Sequence, residues 1–406
     1  MTQQRWRSLA SGVVAASCLV LASCSTSNSG GGSAPSSGSV APSAATSAGY
    51  QKVVSEARSG LVTAKGASSL ALTSIKELTS FDGPTPVKQP TGKRYKIAVI
   101  GCAPVGACLN TANNIRDIAT ELGWSAALSS GDGTPQSFQQ LFSTALSQHP
   151  DAIVAVAVSG IFVQQQLAQA KEQGVVAIGV NVSSLGGPGY TGYVDGREPV
   201  SKAVLASWIA TDSHEKARAV FLDIQGNPDL AVAVGATLLK QCSTCSVKTE
   251  SWSPTDFIDP VKEQQKVTAL LQTNSDAQYL VLPTSGLPLT PVFQAISQAG
   301  LSGKLKVVAS DFDPPSLAPI QSGQLSASTV MSQKWLALAS IDAVNRGLAK
   351  QPIPAADAWG IGIGLIDKSN APSTASYSAF DSYVRSKVDF VAPYAKAWNV
   401  DLGSVG

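Results

Sequence analysis

Two textures of apolar and polar positions alternate along most of the chain. Short, nearly unbroken apolar runs cover Tyr95–Gly101, Asp151–Val158 and Val175–Val180, with a weaker one at Ser125–Ser129. Such runs are too short for ordinary helices and predict strands buried on both faces. Between them, residues 112–122, 137–147 and 163–173 place apolar side chains three and four apart, the spacing of a helix with one buried face. The alternation then repeats. Helices over 200–211, 230–241, 260–272 and 289–299 separate strands over 217–223, 247–251, 278–282 and 306–310. Regular strand–helix alternation predicts an α/β fold with parallel sheets, and the repetition predicts two doubly wound lobes. Sheets of this kind bind ligands beyond the carboxyl ends of their strands.

The two ends of the chain differ from this body. Arg5 and Arg7 precede an apolar stretch from Ala10 to Leu21 that lacks acidic residues, and Leu21-Ala-Ser-Cys24 follows. A basic start, a short apolar core and small residues at the end form an export signal over residues 1–23, too short to span a membrane. The Leu-Ala-Ser-Cys ending resembles a bacterial lipobox. That implies a lipid on the Cys24 thiol and a protein held at the outer face of the cytoplasmic membrane; an ordinary signal with an incidental Cys24 is the alternative. Residues 24–48 are dominated by Ser, Gly, Ala, Pro and Thr and read as a tether. Residues 49–92 carry amphipathic, helix-forming material (Val53, Val54, Ala57, Leu61, then Leu70, Ile75, Leu78) closed by Phe81-Asp-Gly-Pro84, and predict a helical extension. Residues 371–406 form a second extension. Its Tyr377, Phe380, Tyr383, Phe390, Tyr394 and Trp398 are enough to bury against a lobe.

Composition narrows the chemistry. Of 406 residues, 44% are hydrophobic and 14% charged, so the chain can fill a large core. Lys and Arg total 29 against 27 Asp and Glu, and loss of residues 1–23 removes the two excess arginines. This balance argues against nucleic-acid binding. The two histidines, His149 and His214, read as surface residues and leave little room for a histidine metal site or a Ser-His-Asp triad. No cofactor and no metal are expected. Once Cys18 is cleaved off and Cys24 lipidated, Cys102, Cys108, Cys242 and Cys245 remain. Sequence neighbours pair as Cys102–Cys108 and Cys242–Cys245, two short structural disulfides in an exported chain. A redox Cys-x-x-Cys at 242–245 and a four-cysteine zinc site are the weaker readings. Gly187-Pro-Gly-Tyr-Thr-Gly192 has dinucleotide-loop spacing but precedes a strand-like stretch, and its proline removes an amide that would face phosphate.

The ordered set of landmarks resembles type I periplasmic solute-binding lipoproteins, the ribose/galactose-type family of ABC importers. The lipobox and tether precede the Lys96–Gly101 strand; Glu121-Leu-Gly-Trp124 ends the next helix; Ala168-Gln-Ala-Lys-Glu-Gln-Gly-Val-Val-Ala177 follows the third strand. Val307-Val-Ala-Ser-Asp311 resembles the strand that ends at the ligand. Gly323–Gln333 and Ile366–Asn370 resemble hinge returns, and Gly83-Pro84 resembles actinobacterial members. The resemblance covers roughly residues 90–370. It implies two lobes joined by three hinge crossings: residues 93–194, with about 311–335 returning, and residues 195–310, with about 336–370 returning. It further implies a non-enzymatic, monomeric protein that closes over a small molecule and presents it to an ABC permease with a cytoplasmic ATPase. A ligand-sensing lipoprotein that presents its closed state to a receptor or sensor kinase is the alternative.

Several positions depart from the sugar-binding pattern. Asn181-Val182 stands where Asp-Arg is common, Val232 where a cross-lobe Arg is usual, and Pro283-Thr-Ser-Gly286 where an Asn-Asp pair is common. Fewer charged groups for pairing hydroxyls imply a neutral ligand that is sugar-like or less polar. Phe162, Trp252 and Trp335 are the candidate apolar walls; Asn181, Asn227, Ser285, Asp311 and Gln333 are the candidate polar points. Each has a plainer reading: packing for Phe162 and Trp252, a helix cap for Asp311, a turn for Asn227, and a formal glycosylation sequon at Asn181.

Overall fold

Strands buried on both faces demand helices on both sides, and the computed structural model meets that demand twice. It describes residues 44–64, 70–87, 94–104, 106–182, 189–196, 198–224 and 232–403. The signal, Cys24, most of the expected tether and Asn227 lie outside them.

The chain opens with α1 (Ala44–Ser59), β1 (Val62–Thr63) and β2 (Lys76–Glu77). The first lobe follows as β3 (Lys96–Gly101), α2 (Gly106–Glu121), β4 (Ser125–Ser130), α3 (Pro135–Ser147), β5 (Ala152–Val156), α4 (Gln164–Glu172), β6 (Val176–Val180) and β7 (Gly192–Val194). Its five strands lie in the order β4-β3-β5-β6-β7, all parallel. Every residue of β5 and β6 is buried, whereas β4 at the edge contains no fully buried residue. Thr134 caps α3 by accepting from the Ser137 N–H, and Pro135 fits the first turn where no amide partner is needed.

The second lobe comprises α5 (Glu198–Asp212), β8 (Arg218–Ile224), α6 (Val232–Leu239), β9 (Ser246–Trp252), α7 (Pro254–Ile258), α8 (Pro260–Thr273), β10 (Tyr279–Leu282), α9 (Leu289–Gln298), β11 (Lys306–Ala309), α10 (Leu317–Ser322) and β12 (Leu325–Val330). The chain then crosses back through α11 (Gln333–Leu348), returns as β13 (Gly364–Asp367) and ends in α12 (Tyr377–Lys387) and α13 (Val391–Trp398). The second sheet runs β13-β12-β11-β10-β8-β9, with only β13 antiparallel.

Two expectations about the hinge are corrected. Residues 311–335 were expected in the first lobe, but β12 pairs with β11 in the second sheet, and the crossing comes only at Met331–Ser332. Residues 336–370 were expected in the second lobe, but α11 packs on α2, β6 and β7 of the first, and only β13 returns. The apolar Leu325–Val330 run completes the sheet beside β11, so the chain cannot leave before it.

The N-terminal extension is also less helical than its periodicity predicts. Helix α1 stops at Ser59 before Gly60, and residues 61–64 and 70–87 run mostly without helix, with β1 and β2 paired antiparallel. Leu61, Leu70 and Ile75 are buried without a helix to present them.

Helices α5 and α11 are buried around nearly their whole circumference. The extensions supply the missing cover. Helix α1 lies along α5, with the Tyr50 hydroxyl donating to the Leu238 carbonyl at 2.8 Å. Helices α12 and α13 lie on α11, where Trp335 stacks on Phe390 at 5.0 Å and the Trp398 indole donates to Asp342 at 2.7 Å. One continuous core therefore runs from the α2 side of the first sheet through the second lobe into both extensions. A smaller core fills the α3–α4 side of the first sheet.

Glu263 on α8 is 1% exposed, one of its carboxylate oxygens has no partner, and burial pushes its carboxyl up to about 8. The folded chain thus holds a proton that the unfolded chain releases near pH 4.5, so stability falls as pH rises through roughly 4.5 to 8. Glu263→Gln is expected to raise stability by roughly 2–4 kcal/mol at pH 9 and by little at pH 4, read by urea denaturation at both pH values.

Candidate functional site

The carboxyl ends of the two sheets face each other across the hinge, and the backbone there is strained in a repeated way. Ala157 past β5, Asn181 past β6 and Asp311 past β11 each hold φ at 53°. This left-handed conformation costs a non-glycine residue on the order of 1–3 kcal/mol and is kept where the surroundings fix it. At each position the chain turns off the sheet, and the next residue, Val158, Val182 or Phe312, packs into a core instead of extending the strand.

Asp311 is the centre of the charged groups. Ser285, 1% exposed, donates its hydroxyl to the Asp311 carbonyl at 2.5 Å and accepts from the Asp313 N–H at 3.1 Å, tying the ends of β10 and β11 together. Behind Asp311 lie Glu198, at the first turn of α5, and Lys202 one turn later, with Nζ 3.7 Å from the Glu198 carboxylate. Lys202 is wholly buried and donates to the Pro283 carbonyl and the Ser310 hydroxyl. Burial, and then the negative charge of Asp311, hold the Glu198 carboxyl well above its ordinary range. Burial raises the Asp311 carboxyl as well, and the Lys202 ammonium pulls both carboxyls back toward ionisation. Two buried acids and one buried ammonium thus meet at this end of the second sheet.

A second carboxylate sits at the mouth. Asp313 is 1% exposed, accepts from the Tyr377 hydroxyl at 3.0 Å and lies close to Gly106 at the start of α2. Burial pushes it up to about 7 despite this donor. Gly286 stands where a Cβ would strike its carboxylate.

The other expected residues divide. Phe162 is half-buried on a turn after β5, its ring 6.4 Å from Phe138 and nearly parallel to it. The Asn181 side-chain amide oxygen, Oδ1, is buried with no hydrogen-bond partner. Gly196, on the first crossing, passes so close to it that no side chain would fit. Gln333, at the second crossing, accepts from the Thr111 hydroxyl of α2. Trp252 does not face the cleft. It closes the edge strand β9, tilted on Phe257 at 5.3 Å with the Lys266 ammonium 5.6 Å from its ring. Trp335 is fully buried between Phe81 and Phe390, one ring from each extension. Its position one turn into α11 points it at the extensions, which the sequence order alone did not place. Cys102, just past β3, and Cys108, in the first turn of α2, have Cα atoms 5.8 Å apart. Cys242 and Cys245, 5.4 Å apart, lie between α6 and β9, at the opposite end of the second sheet. Both separations suit a disulfide.

Sequence reasoning missed Glu198, Lys202, Asp313 and Tyr377. The first two had a signal: an i, i+4 charged pair in an otherwise apolar helix (Glu198-Pro-Val-Ser-Lys-Ala-Val-Leu-Ala). The expectation of a cleft poor in charge is corrected accordingly, since charges are present but compensated within the protein.

With this geometry in hand, comparison with known proteins is direct. The family profile described as a periplasmic binding protein domain matches residues 108–352, and the chain belongs to this family. Among solved structures, an ABC transporter solute-binding protein from Agrobacterium vitis bound to α-D-tagatopyranose is 17% identical with a TM-score of 0.61; the match covers 71% of this chain and 99% of that one. GanP, a glucose–galactose binding protein from Geobacillus stearothermophilus, is 13% identical with a TM-score of 0.61, covering 69% and 99%. The XylFII–LytSN complex contains a match at 15% identity and TM-score 0.58, covering 68% and 99%. At these identities the likeness is one of fold. No curated protein sequence matches the chain.

Lys202→Met removes the cation that balances Asp311 and leaves the Pro283 carbonyl without its donor. A loss of about 3 kcal/mol or more is expected, measured by chemical denaturation at pH 7.

Proposed function

We propose that this protein is the binding component of an ABC importer, capturing a small neutral molecule between its lobes and delivering it to a membrane permease with a cytoplasmic ATPase. The observation that carries this reading is the pairing of two mainly parallel sheets, carboxyl ends inward, in a chain whose residues 108–352 match the periplasmic binding protein domain. Lys202 lies against Glu198 and acts on Asp311, so the acids there have a cation of the protein's own beside them. Neutral, hydroxyl-bearing ligands fit that arrangement, as do less polar ones. Asp311 and Asn181 are the proposed polar contacts and Phe162 the apolar wall, with Gln333 and Ser285 holding the crossings and loops in place. A ligand held by both lobes across the hinge stabilises the closed form that is delivered to the permease. The chain acts as a monomer and catalyses no reaction.

A ligand-sensing role is the second reading, favoured by the likeness to XylFII, a protein solved in complex with LytSN. Export and anchoring through Cys24 belong to the proposal in either case, as do the Cys102–Cys108 and Cys242–Cys245 disulfides. Among the described residues no helix is long and apolar enough to cross a membrane.

The purified protein is expected to gain thermal stability with one compound from a panel of pentoses, hexoses, polyols and less polar metabolites. A ligand at a hundred times its Kd contributes about 2.7 kcal/mol. Asp311→Ala is expected to abolish the shift; an unchanged shift removes Asp311 from the site. For the anchor, Cys24→Ala is expected to move the protein from the membrane fraction to the soluble fraction, and a variant that stays membrane-bound overturns the lipid attachment.

A further inference from the structure

The profile of the family ends at residue 352 and begins at 108, so both extensions lie outside it. Each is fixed to one lobe and touches the other. The C-terminal extension is fixed to α11 of the first lobe by Trp335 on Phe390 and by the Trp398–Asp342 hydrogen bond. It also holds the second crossing: Asp381 of α12 accepts from the Ser332 hydroxyl at 2.6 Å and from the Lys334 N–H at 3.3 Å. From that footing it reaches the second lobe, with Tyr377 on Asp313 and Phe380 against Phe312 at 4.8 Å.

The N-terminal extension mirrors this arrangement. It is fixed to the second lobe through α1 on α5 and through Arg58, whose guanidinium meets Asp367 of β13 at 2.6 Å. It then reaches the first lobe, where Arg346 of α11 donates to the Thr85 carbonyl and Phe81 meets Trp335 edge-on at 4.9 Å. The Val87 N–H bonds the Ala397 carbonyl at 3.3 Å and joins the two extensions.

Rotation of the lobes about the hinge would carry Tyr377 and Gly106 one way and Asp313 the other. We propose that the extensions form a crossed clasp over the hinge, latched by the Tyr377 hydroxyl on Asp313, so that the ligand-free protein rests with its lobes together. The latch is well placed for this role. Asp313 is buried against Gly286 on its own lobe, and Gly106 on the other lobe, at φ +62°, comes close to it; a Cβ at Gly106 would lie 3.6 Å from the carboxylate. A protein held closed has less ordering left to do when ligand arrives, which raises affinity and slows release.

The test measures the distance between lobes without any ligand, so its result is independent of the importer reading and of the compound panel. Nitroxide labels are attached at Gln140→Cys on α3 and Gln265→Cys on α8, both exposed positions on opposite lobes. Distances are read by pulsed electron resonance in the otherwise unaltered chain, in Tyr377→Phe and in Asp313→Ala. The unaltered chain is expected to give one short distance, and each variant a second, longer one holding at least several times the population it has in the unaltered chain. Cooperative unfolding of each variant confirms that it is folded, and Tyr377→Phe removes only one hydroxyl. Folded variants that keep the single short distance, or an unaltered chain already at the long distance, overturn the proposal.

Discussion

A helix buried around its circumference has no face to give to water, and this chain places two of them where its lobes join. Helix α5 follows the first crossing and α11 follows the second. Each has its lobe on one side, and the opposite side must be covered by something else. Much of what distinguishes the molecule follows from that requirement: α1 along α5, α12 and α13 along α11, and a core that runs without a break from the first sheet through the second lobe into both ends of the chain. The hinge region, which in a two-lobed protein needs only a few connecting residues, is here among the most deeply packed parts of the structure.

The same packing fixes the electrostatics of the cleft. Lys202 is wholly buried because α5 is enclosed, and an ammonium in such a place must be balanced. Glu198, 3.7 Å away, and Asp311 provide that balance. The acids at the end of the second sheet are therefore set against a cation of the same lobe. That outcome is compatible with a neutral ligand, although it is reached by pairing charges and not by leaving them out.

The parts of the fold that the sequence made legible are those governed by local periodicity. The doubly buried strands β3, β5, β6 and β10 and the helices between them follow from apolar runs and spacing, and so does the division into two lobes. The errors arose where sequence order and spatial order part company. Leu325–Val330 reads equally well as a hinge return or as a sheet strand; its pairing with β11 decides, and pairing is a long-range fact. Residues 61–87 carry helical spacing, but their buried side chains are claimed by elements some three hundred positions away, as the Val62–Ile363 bridge illustrates. In the site, Asp311 was legible because it ends a strand, and Glu198 with Lys202 could have been found as a charged pair in an apolar helix. Trp252 and Trp335 misled because an aromatic residue near a strand end or a crossing carries no mark of which way its ring turns. Tyr377 had no signal, since nothing in its own neighbourhood connects it to a residue 64 positions earlier.

The ion pair between Arg58 and Asp367 closes a separation of 309 residues, and its consequence belongs to the order of folding. A chain that emerges from its amino end presents α1 early, yet β13 and α13 only at the finish. Helix α1 must wait with one apolar face uncovered until nearly the whole chain has arrived. Contacts of such sequence separation are the slow ones to form, so the two lobes have time to assemble as independent units first. The joining of the two ends over the junction, through Arg58 with Asp367 and Val87 with Ala397, is therefore expected among the later contacts to form.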